Sequence, residues 1–303
     1  MLTIFTVPKS FEGNTGILQR NAIQSWRHAC PGAQIILCGN ETGTREAAFE
    51  SGAEHLPSVA CNSYGTPLLN SVFDEVLNIG RHSLFCYINA DILILEDFIR
   101  SIRRIRLKKF LMIARRWDME EIPDLDFQRP AWQTELRQCL KKYGTLHHVF
   151  GSDCFVYPKG WLGRLPAFAV GRARWDNWMI YRARSLNIPV IDATQTVTLI
   201  HPPHGYAHVP AASGLKWEGP ETDENDRLTG GLKYQFNFYD ATHVLTKRFL
   251  MPAMEESHLK NYAERAGVLG DQRRSFRDEM IVKIYSRWKK RGKGIDGAIS
   301  VAK

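Results

Sequence analysis

The chain has 303 residues, 44% hydrophobic and 24% charged, so it carries enough apolar material for a sizeable core and is neither a disordered nor a low-complexity polymer. Its 40 basic and 32 acidic residues leave a net charge of +8, which favours anionic partners (nucleic acid, an anionic membrane surface or a phosphate-bearing small molecule) without choosing among them. No apolar run approaches the roughly 20 residues needed to span a bilayer, and the N-terminus lacks the regions of a signal peptide, so a soluble, cytoplasmic chain is expected.

Leu2 to Val7 alternates, is rich in strand-favouring residues and stops at Pro8. Thr15 to Ala29 is predicted helical, with Ile17, Leu18, Ile23 and Trp26 near helical spacing, and Pro31 and Gly32 close it. A strand over Gln34 to Cys38, a helix over Thr44 to Ser51 and a short strand over Glu54 to Leu56 follow, then a helix over Thr66 to Asn78. Ser83 to Ile88 is a nearly continuous apolar run, the mark of a strand buried on both faces. This alternation predicts a parallel sheet covered by helices.

The second half is less regular. Strands are predicted at Phe110 to Ala114, Asp153 to Tyr157, Pro189 to Asp192 and Val197 to Ile200, with a helix over Arg174 to Ser185. From His201 to about Phe238 the chain is dense in Pro, Gly, His and Asn and reads as a long irregular segment, which in a compact domain points to a lid or binding loop. Beyond Glu255 a helical tail is expected, ending in the basic run Arg287 to Lys293. That run either meets anionic lipid or is a solvated helix end. The six cysteines show no CxxC spacing and several lie in apolar runs, which argues for a reducing compartment and against both disulfides and a zinc site.

The segment CYINADILILEDF sets Asn89 and Asp91 just after a buried strand. Ligands of open α/β sheets bind at the carboxyl ends of strands. A carboxylate there can hold a hard divalent cation together with substrate phosphates. Asp91 can equally cap a turn or helix.

This segment resembles the strand and DxD-type motif of nucleotide-diphospho-sugar transferases with the GT-A fold, with Asn89 in the first acidic position and Asp91 in the position that usually binds the metal. IFTVPKSF, QRNAIQSW and IILCGNETG resemble the opening of that fold; SYGTPLLNSVFDEV resembles the loop and helix before the metal strand. The resemblance implies an α/β, GT-A-like Rossmann-type, mostly parallel sheet flanked by helices. A GT-A-like domain would cover 1–250, split into a nucleotide-binding part (1–115) and an irregular acceptor and catalytic part (116–250), with a helical basic extension at 251–303. By the same resemblance Thr6 and Pro8 contact the base, Glu41 the base or ribose, and Gly65 and Thr66 the ribose or phosphate, with Asn89 also on the donor side.

Two later segments, FGSDCFVYP and VGRARWDNWMIYRA, extend the resemblance. Asp153 matches an acid that contacts acceptor or donor sugar, and Asp176 matches the general base of inverting members. Read by itself, Asp176 also suits the start of a helix, where an acid meets the dipole favourably. LIHPPHGYAHV carries His201, His204 and His208, and its prolines argue against a compact tetrahedral zinc site. The run resembles the family's histidine segment after the last core strand, with Pro202, Pro203 and Gly205 as departures. There His201 or His204 would be a further metal ligand and His208 would meet the diphosphate, while GPETDENDRLTGG, with Glu221 and Asn225, would order a lid or simply fill a polar loop.

The implied activity is transfer of a sugar from a nucleoside-diphosphate donor, a UDP-sugar in the first place, to a hydroxyl of a glycan or glycoconjugate, with Mn2+ or Mg2+ as cofactor and Asp176 and Asp153 as the acids. A sugar-nucleotide nucleotidyltransferase needs a Gly-rich basic loop of the GxGxRL kind after the first strand, and TVPKSFEGN has none. A non-catalytic GT-A-like binding protein is the remaining alternative. Nucleic acid is not expected as a partner, because the basic residues are dispersed.

Overall fold

A computed structural model of the chain describes residues 2–120, 122, 125–202, 218–265 and 267–269. The first three strands are β1 (Leu2–Thr6), β2 (Gln34–Cys38) and β3 (Glu54–Leu56), joined by helices α1 (Gly13–Ala29) and α2 (Thr44–Ser51). All three strands are parallel, and β4 (Leu84–Ile88), which follows helix α3 (Leu69–Ile79), pairs on the other side of β1. The strand order reverses between β2 and β4, so a crevice opens at the carboxyl ends of β1 and β4.

The sheet continues through β9 (Cys154–Pro158), β6 (Leu111–Ile113), β10 (Val190–Asp192), β12 (His243–Leu245) and β13 (Leu250–Pro252). Only β9 and the edge strand β13 run antiparallel to their neighbours within these nine strands. The expected boundary at residue 250 falls within β13, and helix α8 (Glu256–Arg265) follows it, its Arg265 donating to the carbonyls of Lys233 and Gln235. His204, His208 and the basic run 287–293 lie outside the described residues.

A second, four-stranded sheet consists of β5 (Leu93–Ile94), β11 (Leu199–His201), β7 (Arg116–Asp118) and β8 (Thr145–Leu146), in that order. Helix α4 (Asp97–Arg104) follows β5, and α5 (Trp132–Tyr143) precedes β8.

The central strands are buried on both faces, which explains their unbroken apolar runs. On one face Ile4, Ile35, Leu37, Cys86 and Ile88 pack with Trp26 of α1 and Phe98 of α4. On the other, Phe5, Ile36, Tyr87 and Phe155 meet Val72 of α3 and Trp175 and Met179 of helix α6 (Trp175–Ser185). Trp26 is fully buried, and truncating such a side chain costs about 3–5 kcal/mol. It also donates from Nε1 to the Ile92 carbonyl at 2.8 Å, while Ser25 Oγ accepts from the Ile94 N–H at 3.1 Å. Helix α1 thereby fixes the segment that carries Asp91.

Three expectations are corrected. Ile17 does not face the core but is 59% exposed, whereas Gln19 is buried, its amide bonding both the N–H and the carbonyl of Lys9. Helix α3 begins at Leu69 rather than Thr66: residues 61 and 67 form an antiparallel bridge, as do Leu68 and Ala169, and Pro67 holds the preceding backbone extended. The stretch read as irregular after His201 contains helix α7 (Pro220–Thr229), with proline in its first turn. Among the described residues no helix is long and apolar enough to cross a membrane.

Candidate active site

The carboxyl ends of β1, β2 and β4 gather the residues singled out from the sequence. Thr6 ends β1 and Pro8 lies two residues beyond it; both are buried, with Thr6 Oγ1 lacking a partner among the described residues, and Glu41 is exposed beyond β2. Gly39 leaves β2 at φ +101, and the Pro67 ring lies 3.9 Å from the place its Cβ would take, so the 61–67 turn closes over this end of the sheet. Gly65 and Thr66 belong to that turn. Asn62 shapes it through bonds from the Tyr64 and Thr66 N–H groups to its side-chain oxygen.

Asn89 extends β4 by one residue. Its N–H donates to the Asp153 carbonyl at 2.9 Å, continuing the pairing with β9, and its side-chain amide donates to Asp153 Oδ1 at 2.7 Å. The second oxygen of Asp153 accepts from Arg116 Nη1 at 2.7 Å. Asp153 and Arg116 are both buried. Asp153, expected at the sugar, is therefore engaged on both oxygens by protein groups. Asp91 follows two residues after Asn89 and is half-buried.

Arg116 joins this cluster to a second one, which sequence reasoning did not find. Its Nε donates to Asp118 Oδ1 at 2.8 Å. Asp118 Oδ2 lies 2.6 Å from Nδ1 of His147, and Asp118 Oδ1 lies 3.4 Å from Nδ1 of His201. Burial opposes the charge of Asp118, but bonds from His201, the Arg116 charge and the bond from His147 outweigh it and hold the carboxyl well below the usual carboxylate range. Burial likewise opposes the Arg116 charge, yet Asp153 and Asp118 raise its pKa further. The one available signal was Arg-Trp-Asp at positions 116–118, an alternation that sends both charged groups to one side of a short strand.

Asp176 stands in the first turn of α6, where its Oδ2 accepts from the Ser152 N–H at 3.2 Å. Its helix begins after Arg174, which has φ +87 and is ion-paired to Asp226 of α7 at 2.9 Å. Asn225 of α7 is fully buried and bonds the N–H and carbonyl of Ala169 and the carbonyl of Ala173. Glu221 accepts from Asn62 at 2.7 Å and from Arg172 Nε at 2.8 Å. Helix α7 therefore clamps the 62–66 turn to the segment leading into Asp176. Trp175 and Trp178 are both buried in the core.

The negative charge at this edge converges. The Tyr87 phenol is raised above its ordinary pKa by burial first, then by Cys38 and by the carboxylates of Asp153, Asp91 and Asp176. Among the described residues no group of three or more His, Cys, Asp or Glu side chains is arranged to hold a metal. His201 nevertheless meets a carboxylate through Nδ1, as the non-ligating nitrogen of a metal-binding histidine commonly does. The β5–β11 register, with Ile200 opposite Leu93, brings His201 close to the segment carrying Asp91. The carboxylate on the Asp91 segment and the imidazole of His201 are of the donor types that divalent cations take.

No family model and no curated protein matches the sequence. Several solved nucleotide-sugar glycosyltransferases are similar in structure. One is the mannosyltransferase PcManGT from Pyrobaculum calidifontis in complex with GDP-Man and Mn2+, at 11% identity and TM-score 0.44 over 71% of this chain and 59% of that one. Another is S. aureus TarS 1-349 in complex with UDP-GlcNAc, at 12% identity and TM-score 0.46 over 76% and 65%. A third is glucosyl-3-phosphoglycerate synthase from Mycobacterium tuberculosis in complex with Mg2+ and UDP, at 14% identity and TM-score 0.46 over 77% and 80%. The chain spans less than two thirds of the length of the first two. At these values the likeness concerns the general course of the chain.

Proposed function

We propose that the chain is a metal-assisted glycosyltransferase moving a sugar from a nucleoside-diphosphate donor, a UDP-sugar first, to a hydroxyl of a glycan or glycoconjugate with inversion. One observation carries this reading: a continuous bonded path runs from the Asp91 segment through Asn89 and Asp153 to Ser152 and Asp176. It ties a carboxylate suited to the donor's diphosphate to a carboxylate suited to the acceptor.

In this reading the 1–115 part takes the nucleotide, with Thr6, Pro8 and Glu41 towards the base and ribose and Gly65, Thr66 and Asn89 along the phosphates. Because Thr6 is buried, the base meets it only where covering side chains give way. Asp91 with His201 or His204 would hold the cation, and His208 would meet the diphosphate. A bound Mn2+ or Mg2+ offsets the charge growing on the leaving diphosphate. Asp176 takes the proton of the acceptor hydroxyl as its oxygen bonds to the anomeric carbon and the bond to the diphosphate oxygen breaks, a role worth roughly 10^2- to 10^4-fold in rate. Asp153 acts by keeping Asn89 and Arg116 in place, and through Arg116 it supports Asp118.

The test is calorimetric titration of nucleoside diphosphates and their sugars with and without Mn2+. Selective, metal-dependent binding of one nucleotide supports the proposal. If folded protein binds none, it is a non-catalytic protein of this fold.

A further inference from the structure

His147 is fixed through both backbone and ring. Its N–H donates to the Arg116 carbonyl at 2.9 Å, its carbonyl accepts from Arg115 Nε at 2.6 Å, and Nδ1 lies 2.6 Å from Asp118 Oδ2. Burial and the Arg116 charge lower its pKa against the pull of Asp118, which favours the neutral ring. Asp118 accepts, which puts the proton on Nδ1 and leaves a lone pair on Nε2.

Nε2 lies beside Gly151. Gly151 has φ +83, and a Cβ built on it would lie 3.6 Å from His147 Nε2 and 3.8 Å from Asp176 Oδ2, so both atoms flank the side of Gly151 that carries no side chain. Two hydrogen-bond acceptors from separate segments thus flank the same side of Gly151. A ligand satisfies both by presenting two donors close together.

We infer that His147 and Asp176 form a sugar-diol subsite floored by Gly151, in which one hydroxyl of a pyranoside donates to Asp176 Oδ2 and a neighbouring hydroxyl donates to His147 Nε2. The inference rests on the proposed acceptor-side role of Asp176 and narrows the acceptor to a carbohydrate with adjacent hydroxyls. An isolated alcohol, such as a seryl side chain, satisfies one acceptor and strands the other once water is displaced, and sites built around hydrogen bonds discriminate strongly against such analogues. Asp118 is the positioning residue that selects the tautomer.

Full-length protein labelled with 15N in histidine tests this directly. The Nε2 signal of His147, assigned by its loss in His147→Gln, should report the Nδ1–H tautomer at neutral pH. Titration with methyl glucoside, methyl mannoside or methyl galactoside, with UDP and Mn2+ present, should shift it for at least one sugar. Removing either hydroxyl of the responding pair should abolish the shift. A proton on Nε2, or a signal that none of these glycosides moves, overturns the subsite. Nucleotide calorimetry on the same preparation reads the transferase proposal separately: a glycoside response without nucleotide binding keeps the subsite and removes the transferase. Nucleotide binding without a glycoside response removes the subsite alone.

Discussion

Asn89 and Asp153 are joined twice, by a 2.7 Å bond from the side-chain amide to Oδ1 and by a 2.9 Å bond between their backbones. An acid at position 89 would face the carboxylate of Asp153 at hydrogen-bond distance, and Arg116 sits on the far oxygen. The neutral amide in the first motif position is therefore what this neighbour demands. We expect Asn89→Asp to lower stability by about 1–3 kcal/mol, the range for stranding a buried polar group. A urea midpoint equal to that of the parent protein would show that the pair is not a structural bond.

Asp91→Ala should abolish the metal dependence of donor binding while the circular dichroism spectrum stays that of the parent. Asp118→Asn should weaken it by roughly 10- to 100-fold, the usual effect of losing an outer-shell partner. Calorimetry with and without Mn2+ decides. Unchanged metal-dependent affinity in Asp91→Ala removes that residue from the cation shell.

Asp176→Asn keeps the side-chain shape and its place beside Ser152 but cannot accept the proton. Turnover should fall roughly 10^2- to 10^4-fold, with donor affinity unchanged. Near-parental turnover in a single-turnover assay rules out this base.

Glu221 supplies a pH signature. Burial raises its pKa, but bonds from Thr66, Asn62 and Arg172 prevail and lower it below the ordinary value. A carboxyl whose folded-state pKa is depressed contributes stability that is present above the unfolded value, about 4.3, and is lost as pH falls towards the folded value. Glu221→Gln should cost about 1.5–3 kcal/mol at pH 7, as for hydrogen bonds to a charged group, and the difference should shrink below about pH 4.3. Parallel urea-midpoint curves for the two proteins from neutral to acid pH would contradict the assignment.

The first ninety residues were legible because their strands and helices are of ordinary length and punctuated by Gly and Pro. The strand at Gln34–Cys38 and the helix at Thr44–Ser51 have their expected bounds. Helix α1 was found but turned wrongly at its start, since Gln19 is buried through hydrogen bonds that no apolar pattern reveals. Helix α7 was missed for a related reason: its buried residues are Thr222, Asn225 and Thr229, a polar stripe at helical spacing. The second sheet has strands of only two or three residues, too short to show a period. Asp118, His147 and His201 meet only because those strands pair, so their meeting was not legible although His201 itself stood out in the run after the last strand.

The antiparallel entry of β9 has a consequence for synthesis. Asp91 follows a strand running one way and Asp153 precedes one running the other, so the site joins segments made far apart in time. Domains form from the N-terminus as the chain emerges, and β4 then has β1 on one side and nothing on the other until Cys154–Pro158 arrives. An open apolar strand edge is a template for pairing with other chains. Between translation of Ile88 and of Cys154 one edge of β4 therefore lacks its strand partner and is open to pairing with other chains.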